Sequence, residues 1–211
     1  SNFTVGTALS KTEVVQVILL EALLLHESVS GRGLIAILIA FVGVMVMTLG
    51  RNRLSLSALL LGLKQKATLV GLACGFALGL ASVLFRGAAL SIEESGILMR
   101  SAFTLAIATT IQTVILLVWL RLFQPGQIRR TLAQWRSCAM VGFAGWAASI
   151  FWFMAFTLTH AAYVRALGQI ELIFTFVASI VFFREKVSRT EVFGVVMLSG
   201  AIILLVLEKT P

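Results

Sequence analysis

Long uncharged apolar runs follow one another along the chain. Four of them are close to the roughly 20 residues that a helix needs to cross a hydrocarbon core, and they cover 34–50, 67–85, 101–120 and 137–164. Three further apolar segments, 6–25, 166–183 and 192–207, carry isolated polar residues or are slightly short. The runs lack the period of two that membrane β-strands show. The pattern therefore predicts an all-α integral membrane protein, a helical bundle of about seven transmembrane helices.

Composition agrees with this prediction and limits the classes of molecule that the protein is expected to bind. Of the 211 residues, 59% are hydrophobic and 12% are charged, and the mean hydropathy is +1.03, which is far from the composition of a soluble domain. The net charge of +8 arises in short loops between the runs, where lipid headgroups and topology explain it. We therefore expect a lipid bilayer as partner, and no nucleic acid.

Basic residues are concentrated in three of the loops. They are Arg51, Arg53, Lys64 and Lys66, then Arg121, Arg129, Arg130 and Arg136, then Arg184, Lys186 and Arg189. By the positive-inside rule these three loops are cytoplasmic, which places the C-terminus on the opposite face. The first loop, 51–66, has an apolar stretch between basic ends that is too short to span, so it is predicted to be an interfacial linker.

One segment of the chain is repeated. ALSKTEVVQVILLEALLLHESVS at 8–30 aligns without gaps with ALGQIELIFTFVASIVFFREKVS at 166–188, which pairs Glu13 with Glu171. One deletion further on brings Gly43 onto Gly200. Internal repeats in a helical membrane protein are typical of transporters. Because an odd number of predicted spans separates equivalent helices, the repeat is predicted to be inverted.

The ends of both copies resemble the EamA-type repeat of the drug/metabolite transporter superfamily. The stretches that carry the resemblance are LLLHESVSGRGLIAILIAFVGVMVM and VFFREKVSRTEVFGVVMLSGAIILLVL, each with an apolar helix, a short loop containing Glu, and a helix with a Gly within it. The resemblance implies inverted five-helix repeats. Residues 1–50 would be the last two helices of the first repeat, 51–66 the linker, and 67–208 the complete second repeat of five helices. The sequence is expected to be N-terminally truncated, without the first three helices.

The resemblance also implies a function and a location. It implies a multi-pass protein of the bacterial inner membrane that moves a small organic metabolite by alternating access as a secondary carrier, for example in the export of an amino acid, an amine or a drug. A proton or another ion would be the coupling partner. The alternative is a membrane sensor or assembly module with a transporter-like fold. Family members have both termini in the cytoplasm, which conflicts with the orientation that the basic loops favour.

Motifs for catalysis or metal binding are missing from the sequence. The chain has no HExxH, no aspartate and no GxxxxGK[ST], and His26 and His160 have no ligand partner at helical spacing. Cys74 and Cys138 lie in or beside apolar runs and are expected to be free, buried thiols. We therefore expect no enzyme activity, no cofactor and no metal.

Glu13 and Glu171 are the first candidates for substrate binding. A carboxylate within a span costs about 2.5 to 3.5 kcal/mol on insertion scales, so it usually faces a cavity, a partner or water. The pair could bind a cationic or amine substrate or exchange a proton with it; alternatively, both lie near helix N-termini, where the dipole stabilises them.

Lys11 and Gln169 precede the two glutamates by two residues and are predicted to lie on a different helical face. Lys11 therefore either pairs or reaches headgroups at the helix end, or contacts substrate. Arg165 shares a face with Gln169 and would bind an anionic group or anchor to a lipid phosphate.

Other residues in the spans are further candidates. Trp146 and Trp152 could line a site for an organic substrate, although packing and interface anchoring also explain them. Glu21 lies deeper in its span and is expected to have a partner on another helix, with Arg86 and Arg100 as candidates.

Two smaller patterns predict local structure. Glu27 and Glu185, with Ser30 and Ser188, are expected to have capping or turn roles. A third set of residues, Gly71, Gly75 and Gly79, shares one helical face, which predicts close packing within the chain or, alternatively, a homodimer.

Overall fold

The computed structural model describes residues 6, 9–52, 66–93, 96–185 and 187–209, and these ranges contain helices and no strand. The helices are α1 (Glu13–Leu24), α2 (Gly31–Asn52), α3 (Lys66–Leu90), α4 (Ile97–Phe123), α5 (Gln127–Ala133), α6 (Trp135–Leu158), α7 (Ala161–Gly168), α8 (Ile170–Val181) and α9 (Arg189–Lys209). The all-α membrane architecture is thus confirmed. Most of the predicted linker, 53–65, lies outside the described residues.

Six segments within the described ranges are long and apolar enough to cross a membrane. They are Gly31–Gly50, Lys66–Leu90, Ile97–Phe123, Trp135–Leu158, Ala161–Val181 and Arg189–Glu208. The remaining predicted span, 6–25, includes residues 7 and 8, which lie outside the described residues, so it stays a prediction; its longest described helix, α1, has 12 residues. Lys11 and Thr12 form a turn immediately before it.

The predicted span 137–164 combines parts of two helices. α6 ends at Leu158, because Thr159 is extended with φ −151° and ψ 170°, and α7 begins at Ala161. The residues on both sides of this boundary are apolar, so hydropathy does not reveal it. The fifth crossing segment, Ala161–Val181, therefore starts earlier than predicted and contains both α7 and α8.

Helix breaks occur at nearly equivalent positions of the two aligned segments. Between α7 and α8, the N–H of Gln169 donates to the carbonyl of Ala166 at 3.2 Å. Before α1, the N–H of Thr12 donates to the carbonyl of Leu9 at 3.1 Å. Both bonds join residues three apart, the 3₁₀ pattern, in place of the α-helical spacing of four. In the alignment of 8–30 with 166–188 the two breaks differ by one residue.

The chain forms two compact units, and each is described by itself. Unit 1 consists of residues 1–84 and 160–211, and unit 2 of residues 85–159. In unit 2, the hydroxyls of Ser101 on α4 and Thr157 on α6 lie 3.0 Å apart in a buried contact. The Arg86 guanidinium donates to the carbonyls of Phe156 and Thr159 at 2.8 and 2.6 Å, so it stabilises the C-terminal end of α6.

Unit 1 is built on close packing between α2 and α9. A Cβ added to Gly43 would lie 2.9 Å from the backbone nitrogen of Leu198 and 3.0 Å from the carbonyl oxygen of Gly194. Gly50, further along α2, approaches Glu191 at the start of α9, so the two helices are antiparallel. Their shared core contains Ala40, Val44, Leu198 and Ala201, all buried. Gly200, which the alignment pairs with Gly43, has no neighbour within 4 Å of an added Cβ; the close partner of Gly43 is Gly194 instead.

The glycine face of α3 packs within the chain. A Cβ on Gly75 would lie 2.8 Å from the carbonyl oxygen of Ser10, and one on Gly79 would lie 3.0 Å from Cγ2 of Val17. Gly71 approaches the backbone of Gly6 in the same way. Intramolecular packing against the α1 segment is therefore confirmed, and the homodimer stays a prediction.

Serine caps begin α2 and α9. Ser188 and Glu191 form a reciprocal capping box, in which the Glu191 N–H donates to the Ser188 hydroxyl at 3.1 Å and the Ser188 N–H donates to the Glu191 carboxylate at 2.8 Å. At α2 the Gly33 N–H donates to the Ser30 hydroxyl at 3.0 Å. The predicted capping role of both serines is confirmed. Glu185 accepts a hydrogen bond from the Ser179 hydroxyl in the last turn of α8, in agreement with a turn role.

Candidate substrate site at two helix breaks

Two ion pairs connect the helix breaks in unit 1. The Arg165 Nε lies 2.5 Å from Oε1 of Glu13, and the Lys11 Nζ lies 3.3 Å from Oε1 of Glu171. Each pair joins the first aligned segment to the α7–α8 segment of the second copy. The two carboxylates that the repeat alignment makes equivalent thus both find a cation on the opposite copy, and we call this arrangement the crossed ion pairs.

The two pairs differ in burial. The Glu13 and Arg165 side chains are 9% and 20% exposed, whereas those of Lys11 and Glu171 are 25% and 63% exposed. An exposed pair contributes little to stability, because water screens it. A buried pair loses its hydration, and removal of either partner leaves a charge that the surroundings do not solvate. Glu13 and Arg165 are therefore the stronger interaction.

Both carboxylates begin a helix. Glu13 is the first residue of α1, and Glu171 lies in the first turn of α8. The helix dipole stabilises a negative charge at both positions, as the alternative interpretation expected. Lys11 and Glu171 also lie close enough to Glu13 to act on its charge. The helix N-termini and the crossed ion pairs consequently act on the same two carboxylates.

Buried amide oxygens lie on the same elements. Oε1 of Gln16 on α1 and Oε1 of Gln169 at the second break accept no hydrogen bond in the described part of the chain. A buried acceptor without a donor costs free energy, so such atoms commonly face a ligand or water. The Gln169 amide nitrogen, by contrast, is 3.5 Å from the Arg165 carbonyl. Two carboxylates, each paired with a cation, and two open amide acceptors suit a ligand that is rich in hydrogen-bond donors.

The position of Lys11 contradicts one prediction. Regular helical geometry excludes Lys11 from the face of Glu13 and Glu171, yet Lys11 contacts Glu171. The reason is that Lys11 lies in the turn before α1, where the angle of about 100° per residue does not apply. The prediction that Lys11 pairs at the helix end is correct.

Arg165 was predicted to bind an external anionic group or a lipid phosphate, and its partner in the structure is neither of these. Its guanidinium pairs with a protein carboxylate on α1 and also approaches the Leu78 carbonyl at 3.5 Å. We expected it to bind an external anion or a lipid phosphate. The alignment does not indicate the contact, because the equivalent position in the first copy is Thr7.

The two candidate tryptophans lie in unit 2. Trp146 is 55% exposed on α6 and stacks near Phe143, and Trp152 lies 5.9 Å from Phe156, ring centre to ring centre. These contacts are between neighbours on one helix and agree with packing. A role of Trp146 and Trp152 in substrate binding stays a prediction.

A second polar cluster in unit 1 surrounds Glu21. This side chain is 1% exposed, and its carboxylate accepts the N–H groups of Ala161 and Ala162 at 2.8 and 3.2 Å. It therefore caps the N-terminus of α7 from another helix. Nδ1 of His160 lies 3.3 Å from both Glu21 and Glu27.

Sequence reasoning missed this cluster. Helical spacing does not indicate it, because His160 lies in the break between α6 and α7 and contacts Glu21 on another helix. Glu27 lies in the loop between α1 and α2 and contacts His160; its capping or turn role stays a prediction. The pairing of Glu21 with Arg86 or Arg100 stays a prediction.

Comparison with known proteins assigns the family. The family model of the EamA-like transporter family matches residues 65–207. No curated protein and no solved structure matches the chain. The family match covers more than half of the chain, includes four of the crossing helices in full, and agrees with the resemblance at the end of the second copy. The chain therefore belongs to the EamA-like transporter family and is a multi-pass helical membrane protein of transporter type.

Proposed function

We propose that the protein is a secondary carrier that moves a small organic metabolite across the bacterial inner membrane by alternating access. The substrate site is the pair of helix breaks in unit 1. The observation that carries this proposal is the crossed ion pairs, which place Glu13 and Glu171 opposite cations that a substrate can replace. Catalysis has no part in the proposal.

Interrupted helices support this location. Transporters commonly form their sites where membrane helices are discontinuous, because freed backbone groups and helix ends there can contact a polar ligand. The chain has such breaks at Thr12 and Gln169, and the crossed ion pairs lie on both sides of them. An ammonium group could take the place of Lys11 or Arg165 at a carboxylate without leaving it unpaired.

The exchange of partners also gives a basis for coupling. When a cationic substrate or a proton reaches Glu13, Arg165 must release that carboxylate, and the contact between α1 and α7 changes. Binding is then linked to a movement of the two repeat copies, which is what alternating access requires. The antiparallel packing of α2 and α9 supports an inverted repeat, since equivalent helices of such a repeat run in opposite directions.

Transport by the purified protein in proteoliposomes tests the proposal. A panel of amino acids, amines and cationic drugs is compared in wild type, Glu13→Gln, Glu171→Gln and the control Glu93→Gln, which alters an exposed loop glutamate. We expect Glu13→Gln to lower transport at least about tenfold, because the buried Arg165 loses its charge partner. Glu171→Gln should have a smaller effect, since its pair is exposed, and Glu93→Gln none.

The outcomes separate the competing functions. Normal transport by both Glu13→Gln and Glu171→Gln would show that the crossed ion pairs are not the substrate site. If wild type transports no compound of the panel, the sensor or assembly module becomes the better interpretation. Imposing a proton gradient of either direction on the same liposomes tests coupling: a carrier that exchanges protons at Glu13 responds to the gradient, and Glu13→Gln does not.

A further inference from the structure

We infer that Glu21, Glu27 and His160 form a binding site for a divalent transition-metal ion with the coordination preferences of Zn²⁺. This site fixes the loop after α1 to the start of α7. It is separate from the crossed ion pairs, and the inference does not depend on the transport proposal.

The distances among the three side chains fit a coordination shell. One oxygen of each carboxylate and Nδ1 of His160 lie within 4.8 Å of one another, and both nitrogen-to-oxygen distances are 3.3 Å. Metal-ligand bonds of about 2.0 to 2.1 Å in a tetrahedral site place neighbouring ligand atoms about 3.3 Å apart. A charge-assisted hydrogen bond between the same atoms would be shorter, about 2.7 to 2.9 Å. The two nitrogen-to-oxygen distances thus match the edges of a tetrahedral site, and they are longer than those of a close charge-assisted hydrogen bond.

The donor set selects the class of ion. One imidazole nitrogen with two carboxylate oxygens suits Zn²⁺ and similar first-row ions. Mg²⁺ and Ca²⁺ prefer more ligands, all of them oxygen.

The ligands are held in place and can be reached. Glu21 is 1% exposed and is oriented by the N–H groups of Ala161 and Ala162. Hydrogen-bonded support of this kind is typical of metal-binding carboxylates. The His160 and Glu27 side chains are 28% and 30% exposed, so an ion can enter from one side and keep water as its fourth ligand. The chain reverses at His26, whose φ of 55° is left-handed, directly before Glu27.

Metal content and thermal unfolding test this inference. Cys74 and Cys138 are free, as expected, but exposed rather than buried. All variants are therefore purified without a histidine tag and with both cysteines replaced by alanine, because exposed thiols bind Zn²⁺. The chain in lipid nanodiscs is stripped with a chelator, and Zn²⁺ or Mg²⁺ is then added. The metal bound per chain and the unfolding temperature are measured for the parent, Glu27→Gln, His160→Asn and His26→Asn.

The two histidine variants form a matched pair. Asparagine at 160 keeps an amide donor for the carboxylates and removes the metal-binding nitrogen, and asparagine at 26 tolerates the left-handed backbone. We expect the parent and His26→Asn to bind one Zn²⁺ per chain and to unfold at a higher temperature with it. Glu27→Gln and His160→Asn should bind Zn²⁺ at least about tenfold more weakly, and Mg²⁺ should have no effect.

Two results would overturn the inference. The first is a parent protein that takes up no Zn²⁺ above the level of Mg²⁺. The second is Zn²⁺ binding by His160→Asn and Glu27→Gln that equals that of the parent, because the ion would then have other ligands. Glu21 is left unchanged in this test, since its substitution also removes the cap of α7.

Discussion

Replacing Gly194 with alanine is expected to force α2 and α9 apart. A Cβ at this position would lie 2.6 Å from the backbone nitrogen of Met47 and 2.8 Å from the carbonyl oxygen of Gly43. Both atoms belong to the backbone of α2, so neither can rotate away as a side chain can. Gly200, two turns further along the same helix, is exposed and has no neighbour within 4 Å. Gly200→Ala is therefore a matched control.

The expected difference follows from these distances. The new methyl group would be about 0.8 Å short of the 3.4 Å at which ordinary contact begins, and overpacking of this kind costs roughly 1 to 3 kcal/mol. A separation of this size also weakens the dispersion contacts of the shared core around Leu198. Alanine regains up to about 1 kcal/mol in helix propensity at either position. We therefore expect Gly194→Ala to be less stable than Gly200→Ala by about 2 kcal/mol or more.

Unfolding in mixed micelles measures this difference. Purified variants are titrated with sodium dodecyl sulfate, and helix content is followed by circular dichroism. We expect the transition of Gly194→Ala at lower detergent fraction than wild type, and that of Gly200→Ala at or above wild type. Equal transitions for the two variants would mean that α2 and α9 do not approach as closely as described, and the reasoning would be wrong.

Three further predictions concern the caps, the ion pairs and the orientation. Ser188→Ala should lower stability by about 1 kcal/mol, because it removes one side of the capping box, whereas Thr190→Ala should not; the same unfolding assay compares them. Arg165→Leu should destabilise by about 3 kcal/mol, because it leaves Glu13 buried without its cation, and adding Glu13→Leu should restore part of the loss; additive effects would contradict a direct pair. With native cysteines replaced, Thr190→Cys and Ser91→Cys should be labelled from opposite sides of the membrane, Thr190→Cys from the cytoplasm. Labelling of both from one side would refute the topology.

The crossing helices could be predicted where hydropathy alone defines them. The uncharged runs 34–50, 67–85 and 101–120 lie inside α2, α3 and α4, because a helix that leaves water needs about 20 apolar residues in succession. The prediction of one continuous span over 137–164 is wrong, because hydropathy does not detect where a helix ends. Thr159 and His160 interrupt the helix without interrupting the apolar character of the run, so the boundary depends on Glu21, which caps α7 from another helix.

The candidate site could be predicted only in part. Alignment of the two copies identifies Glu13 and Glu171, but not their partners, since Arg165 and Lys11 are not equivalent residues of the repeat. Packing between copies decides which cation meets which carboxylate. Burial is also set by packing: equivalent carboxylates that look alike in sequence are 9% and 63% exposed in the fold.

The breaks themselves have a signature in the sequence that helical reasoning does not use. Lys11 precedes Glu13 by two residues, and Gln169 precedes Glu171 by two. In a regular helix, residues two apart point about 200° away from each other, so one member of each pair would face lipid. Polar groups facing the bilayer core are costly, and a turn between the two residues changes their relative direction, so that the Lys11 side chain is 25% exposed and pairs with Glu171. Two polar residues at this spacing within an apolar segment therefore favour a broken helix over a continuous one, and here the break is what allows Lys11 to reach Glu171.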